Sequence, residues 1–154
     1  MKLTYKDSLG KLCECEVRYY DLLEKEDFLQ SDNVAFSIKG SRYLSAVDLP
    51  EDIVTKNMIA YPLYAYIHGN IALERSPSCN FDSGRVGTLF IKPNTPTSEI
   101  DFALEYNSNV INGQVYSVFV ESEDCWYTYN PAEDIDTFVK SAIDSNATEI
   151  DFHY

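Results

Sequence analysis

The chain has 154 residues, 45% of them hydrophobic and 14% aromatic, with a formal charge of -13. At this length a protein buries about two thirds of its unfolded surface, and this composition belongs to a folded chain, not to a disordered or low-complexity one. The charge disfavours phosphate backbones and anionic membranes as partners and favours basic ones. It is also uneven: residues 1–92 hold 13 acids and 11 bases, whereas residues 93–154 hold 12 acids and one base, Lys140. The start of the chain lacks the apolar stretch of about 7–15 residues found in a secretory signal. No later run approaches the ~18 apolar residues of a membrane span. A cytoplasmic location is therefore expected, and Cys13, Cys15, Cys79 and Cys125 are expected to be reduced thiols.

Two strands over 3–6 and 12–20 open the chain, separated by the turn-forming Asp7-Ser8-Leu9-Gly10. In the second, Cys13, Cys15, Val17 and Tyr19 alternate with Glu14, Glu16 and Arg18, the period-two pattern of a half-buried strand. A short helix is expected over 21–30, followed by a strand over 34–38. From Met58 the chain is apolar and β-prone up to His68-Gly69-Asn70, then continues through Ile71-Ala72-Leu73, which predicts two strands joined by a tight turn. Residues 76–84 have loop composition and 86–92 read as a strand. Thr97 or Ser98 can cap a helix that places Ile100, Ala103, Leu104 and Ile111 on one face.

The last third predicts strands over 114–121 and 125–129, a helix over 131–144 and a closing strand over 149–154. Asn130 is the expected N-cap and Pro131 suits the first helical position. Ile135, Phe138, Val139, Ala142 and Ile143 follow the spacing of a helix packed on a sheet. The resulting expectation is one α+β domain over 1–154, a mainly antiparallel sheet of about six to eight strands with two or three amphipathic helices packed on it.

The least generic tract runs from Tyr61 to Leu89. It contains Tyr66-Ile67-His68-Gly69-Asn70 and then Ser78-Cys79-Asn80-Phe81-Asp82-Ser83-Gly84-Arg85-Val86-Gly87. This tract resembles a family of small proteins carried by phages and other mobile elements. The family shows a Tyr-x-His-Ser-Gly turn and then Phe-Ser-Cys-Pro-Trp-Asp-Ser-Gly-Gln-Val-Gly before a strand. His68, Ser78, Cys79, Asp82, Ser83 and Gly84 match it, as does Gly87. Gly69-Asn70 departs from Ser-Gly, and Asn80-Phe81 from Pro-Trp. A weaker likeness extends over 112–120 and 125–127, so that about half the chain is covered in all. The resemblance implies mobile-element origin and an α+β fold, with no established activity.

Read as chemistry, the tract offers a thiol, an imidazole and a carboxylate. Cys79 would be the nucleophile, His68 its base and Asp82 the group that orients the imidazole. Read as architecture, Asp82 and Ser83 bond backbone amides, Gly84 and Gly87 allow positive φ or close approach, and Cys79 is a packed thiol. No metal or cofactor site is expected, because Cys13-x-Cys15, His68 and His153 lack ligand spacing. Gly84-Arg85-Val86-Gly87 falls short of a phosphate-cradling loop.

The leading functional expectation joins the resemblance to the charge. It is a non-enzymatic phage or mobile-element counter-defence protein of anti-CRISPR or anti-restriction type. Its partner would be a host defence protein with a basic nucleic-acid-binding surface, which carboxylates occupy in place of phosphates. The candidate contacts are Glu121, Glu123, Asp124, Glu133, Asp134 and Asp136. Direct nucleic-acid or membrane binding is not expected. The alternatives are a small hydrolase or transferase using Cys79, His68 and Asp82, and a structural or accessory phage protein without catalytic activity.

Overall fold

Alternation of apolar and polar side chains builds most of the structure. A computed structural model describes residues 1–20 and 27–154. Among the described residues there are nine strands and two α-helices. In chain order they are β1 (Lys2–Lys6), β2 (Leu12–Tyr19), β3 (Val34–Ile38), β4 (Ile59–His68), β5 (Asn70–Glu74), β6 (Ser83–Ile91), α1 (Thr97–Ile111), β7 (Tyr116–Val120), β8 (Cys125–Tyr129), α2 (Ile135–Ala142) and β9 (Thr148–His153). Of the helix expected over 21–30, residues 21–26 lie outside the described residues.

The α+β class and the antiparallel pairing agree with the sequence, but the strands form two sheets, not one of six to eight strands. Their orders are β8-β7-β2-β1-β9 and β3-β6-β4-β5. The reason is a non-local pairing. After β2 the chain builds the whole second sheet before it returns as β7, which pairs antiparallel with β2 from Glu16↔Phe119 to Tyr19↔Tyr116. A period-two pattern shows which face of a strand is buried and says nothing about its neighbour.

The first compact unit comprises Met1–Leu23 and Gly113–Tyr154. Leu3, Tyr5, Cys15, Val17, Tyr116, Val118 and Val120 face Phe138 and Val139 of α2. Leu3, Val118 and Val139 are fully buried, each contributing about 1.5–3 kcal/mol relative to exposure. Asp7 closes the β1–β2 turn, its Oδ1 accepting from the Leu9 and Lys11 amides at 2.9 Å each. Helix α2 starts later than expected. Asn130 is buried and its Oδ1 accepts from the Ala132 amide at 3.0 Å, which holds 131–133 in a turn. Asp134 is the N-cap instead, accepting from the Thr137 amide at 3.1 Å and the Thr137 hydroxyl at 2.8 Å.

The second unit, Glu24–Asn112, packs its sheet against α1. Val34, Phe36, Leu63, Ala65, Leu73 and Leu89 meet Ile100, Ala103 and Leu104, with Phe28, Leu29 and Ile111 at the margin. Neither Thr97 nor Ser98 caps α1. The N-cap is Pro96, already extended (φ -58, ψ 141), and its carbonyl accepts from the Glu99 and Ile100 amides at 3.1 and 3.3 Å. Strand β6 begins at Ser83, earlier than expected, because Ser83 and Gly84 pair with Tyr66 and Ala65 of β4.

Side chains close both edges of this second sheet. On β5, the Asn112 carboxamide accepts from the Ile71 amide and donates to the Ile71 carbonyl, both at 2.8 Å. Ser108 Oγ accepts from the Leu73 amide at 2.9 Å. On β3, the Gln30 carboxamide bonds the Phe36 amide and carbonyl at 2.7 and 2.8 Å. Ser31 serves Val34 through its hydroxyl and its amide, and the main chain of Val47 exchanges both bonds with Ile38.

Candidate functional site

The central tract is organised by Ser83. Its amide donates to the Cys79 carbonyl at 3.1 Å, and its hydroxyl donates to Glu74 Oε1 at 2.9 Å. The same hydroxyl accepts from the Cys79 amide at 3.2 Å. One serine thus ties the loop after β5 to the start of β6. The Asp82 carbonyl accepts from the Ile67 amide at 2.8 Å, which sets Asp82 beside the end of β4, where Gly69 takes φ +80 to turn the chain into β5.

His68, Cys79 and Asp82 come together there. Asp82 Oδ2 lies 3.4 Å from His68 Nδ1 and 4.0 Å from Cys79 Sγ. The contact order is thiol, carboxylate, imidazole. Activation of a nucleophilic thiol by histidine needs the imidazole in the middle. The His68 side chain is 72% exposed and that of Asp82 38%, so water screens their attraction.

The other motif residues divide by role. Ser83 bonds a backbone amide as expected, whereas the Asp82 carboxylate faces His68 and Cys79. Gly87 is required by close approach, since a Cβ there would lie 1.9 Å from the Ser37 carbonyl oxygen. Gly84 has open space around it and no positive φ, so neither expected reason for a glycine applies. Ser78 is exposed. Phe81, at the position where the resembled family has Trp, is 96% exposed. Among the described residues no three His, Cys, Asp or Glu side chains are arranged to hold a metal ion. Cys15 is buried, and burial pushes its thiol up to about 11.

The six acidic candidates lie in the first unit, at the two ends of β8. Glu121 and Glu123 form a single 3-10 turn between β7 and β8, and Asp124 follows with φ 49. Glu133, Asp134 and Asp136 lie past the other end, around the start of α2. The five residues of β8 separate the two groups by about 17 Å. The Tyr127 hydroxyl donates to the Glu123 carboxylate, and that bond, with some desolvation and the charge itself, pushes the phenol up to about 12. The Thr137 hydroxyl and amide hold the Asp134 carboxyl below its ordinary value.

Cations are distributed unequally around these acids. Lys2 pairs with Glu14 at 3.3 Å, Lys6 with Glu149 at 2.8 Å and Arg18 with Glu16 at 3.1 Å. Among the described residues none of the six candidates has a cation within 4.0 Å. Between them, Trp126 is 40% exposed, with the Arg18 guanidinium 4.2 Å above its ring and Phe119 at 4.9 Å. Composition pointed to these acids. The aromatic and cation beside them carry no sequence signal, because Arg18 and Trp126 are joined only through β2, β7 and β8. In comparison with known proteins, no family model, no curated protein and no solved structure matches this chain.

Proposed function

We propose that this protein acts by binding, as a counter-defence inhibitor carried by a phage or other mobile element, and that its partner is a host nucleic-acid enzyme with a basic channel. The observation that carries the reading is the segregation of charge. The bases of β1 and β2 are taken by Glu14, Glu16 and Glu149, and among the described residues no cation lies within 4.0 Å of the carboxylates at the two ends of β8. Lysines and arginines that normally hold phosphates would find carboxylates in their place. The resemblance of the Tyr61–Leu89 tract to mobile-element proteins supports the same reading. Binding of this kind weakens steeply with salt. A pull-down from host lysate at low salt should recover a basic nucleic-acid enzyme, and the combined change Glu121→Gln, Glu123→Gln and Asp124→Asn should lose it. Recovery of no such enzyme, or equal recovery by the variant, overturns the proposal.

A second reading follows from the meeting of Cys79, Asp82 and His68, namely thiol-dependent hydrolysis or transfer. It requires His68 to exchange places with Asp82 next to the thiol. Thiol labelling near neutral pH tests it: labelling of Cys79 no faster than that of the exposed Cys125 ends the reading.

A further inference from the structure

The second unit also carries a groove of about 600 Å³ at the margin of β3 and β6, a volume in the range of small-molecule sites. The residues that line it include Lys39 and Arg85, the hydroxyl-bearing Ser37, Ser41 and Thr88, and Asp48. The chain holds 25 acids and 12 bases, yet among the described residues neither of these two cations has a carboxylate within 4.0 Å, not even Asp48 on the same wall.

A β-bulge shapes the wall that both cations line. Leu63 pairs with Gly87 and Tyr64 with Arg85, which leaves Val86 unopposed. Such a bulge re-aims the side chains next to it. The Val86 carbonyl accepts from the Lys39 amide at 2.9 Å, so the chain carrying Lys39 is fastened at the bulge that carries Arg85. Arg85 Nε donates to the Gly87 carbonyl at 3.2 Å, which anchors the guanidinium, and among the described residues its terminal nitrogens have no hydrogen-bond partner. Ser41 Oγ accepts from the Leu44 amide at 3.3 Å and the Tyr43 amide at 3.4 Å, so its own proton is free to donate. The wall is therefore rich in donors, with one acidic acceptor.

From this we infer that the groove binds a nucleoside phosphate. The phosphate is held by Lys39, Arg85 and the serine hydroxyls, and Asp48 accepts from a hydroxyl or amino group of the nucleoside. Arginine and lysine together suit a phosphate, the first through its planar fork and the second as a compact charge. The site does not depend on the acidic surface of the other unit.

Titration calorimetry of the intact chain with AMP, inorganic phosphate and adenosine tests the inference. AMP should bind more tightly than either of the other two. Arg85→Met and Lys39→Met should each weaken AMP about tenfold or more, the loss of a charge-assisted hydrogen bond. Lys56→Met, a cation outside the groove, should leave binding unchanged. Unaltered melting temperatures would show that the variants keep their fold. Absence of AMP binding at millimolar concentration, binding no tighter than phosphate or adenosine, or equal affinity in Arg85→Met and the parent overturns it.

Discussion

In the second sheet, Val34, Phe36 and Ile38 along β3 are met by Ser31, Gln30 and Val47, while Ile71 and Leu73 along β5 are met by Asn112 and Ser108. In the first sheet, among the described residues, the β8 edge has no such closure. Among the described residues its main chain bonds β7, and the Cys125 thiol reaches the Trp126 carbonyl at 3.7 Å. An open edge is a template for another chain. The protein manages the two situations by different physics. The second unit spends hydrogen bonds on closing its edges, whereas β8 is flanked at both ends by carboxylates that, among the described residues, have no cation within 4.0 Å. Those charges repel a second acidic copy and accommodate a basic surface, which fits the proposed mode of action.

The largest effect expected from a single change concerns the second sheet itself. Gly87→Ala places a methyl group where the Ser37 carbonyl already lies, and β3 must separate from β6 or β6 must shift. Urea denaturation should report a loss of about 3 kcal/mol. A loss below about 1 kcal/mol would show that the strands relax cheaply.

The edge closure is tested next. Asn112→Ala leaves the Ile71 amide and carbonyl without their partner, at a cost of about 1–3 kcal/mol, with faster amide exchange at Ile71. Thr128→Ala, on the exposed side of β8, should stay within about 0.5 kcal/mol of the parent. Equal costs at the two positions would erase the contrast between the edges.

A smaller effect comes from pH. The Asp134 carboxyl is held below its ordinary value in the folded state, first by the Thr137 hydroxyl and then by its amide. Its contribution is therefore fully present above the unfolded value of about 4 and is lost as pH falls through the lower folded value. Amide exchange at Thr137 should rise over that acidic window, and Asp134→Asn, which can still cap the helix, should remove the pH dependence. The smallest effect is expected at the exposed Lys6–Glu149 pair, where Lys6→Ala should change the stability by no more than about 1 kcal/mol.

Local chemistry made much of this protein legible. The alternation in 12–20 marked β2, Asp7-Ser8-Leu9-Gly10 marked its turn, and Ile135, Phe138, Val139, Ala142 and Ile143 marked the buried face of α2. These signals depend on neighbours within a turn or two of chain. The start of α2 is ambiguous in the sequence because Asn130 and Asp134 are both capping residues four positions apart; Asn130 is buried and bonds the Ala132 amide, and Asp134 caps the helix. In the candidate site, composition located the acids and the tract located Cys79, Asp82 and His68. The contact order of those three, and the pairing of Lys2, Lys6 and Arg18 with other acids, were not readable.

Hydrophobic period and turn chemistry therefore determined the elements and their buried faces, since both act over a few residues. Tertiary structure alone decided that β7 joins β2 to make two sheets, that amide side chains from 30 and 112 close one of them, and that Lys39 and Arg85 line one groove. Each of these joins groups distant in sequence or depends on a strand register, and no local preference specifies a partner across such a gap.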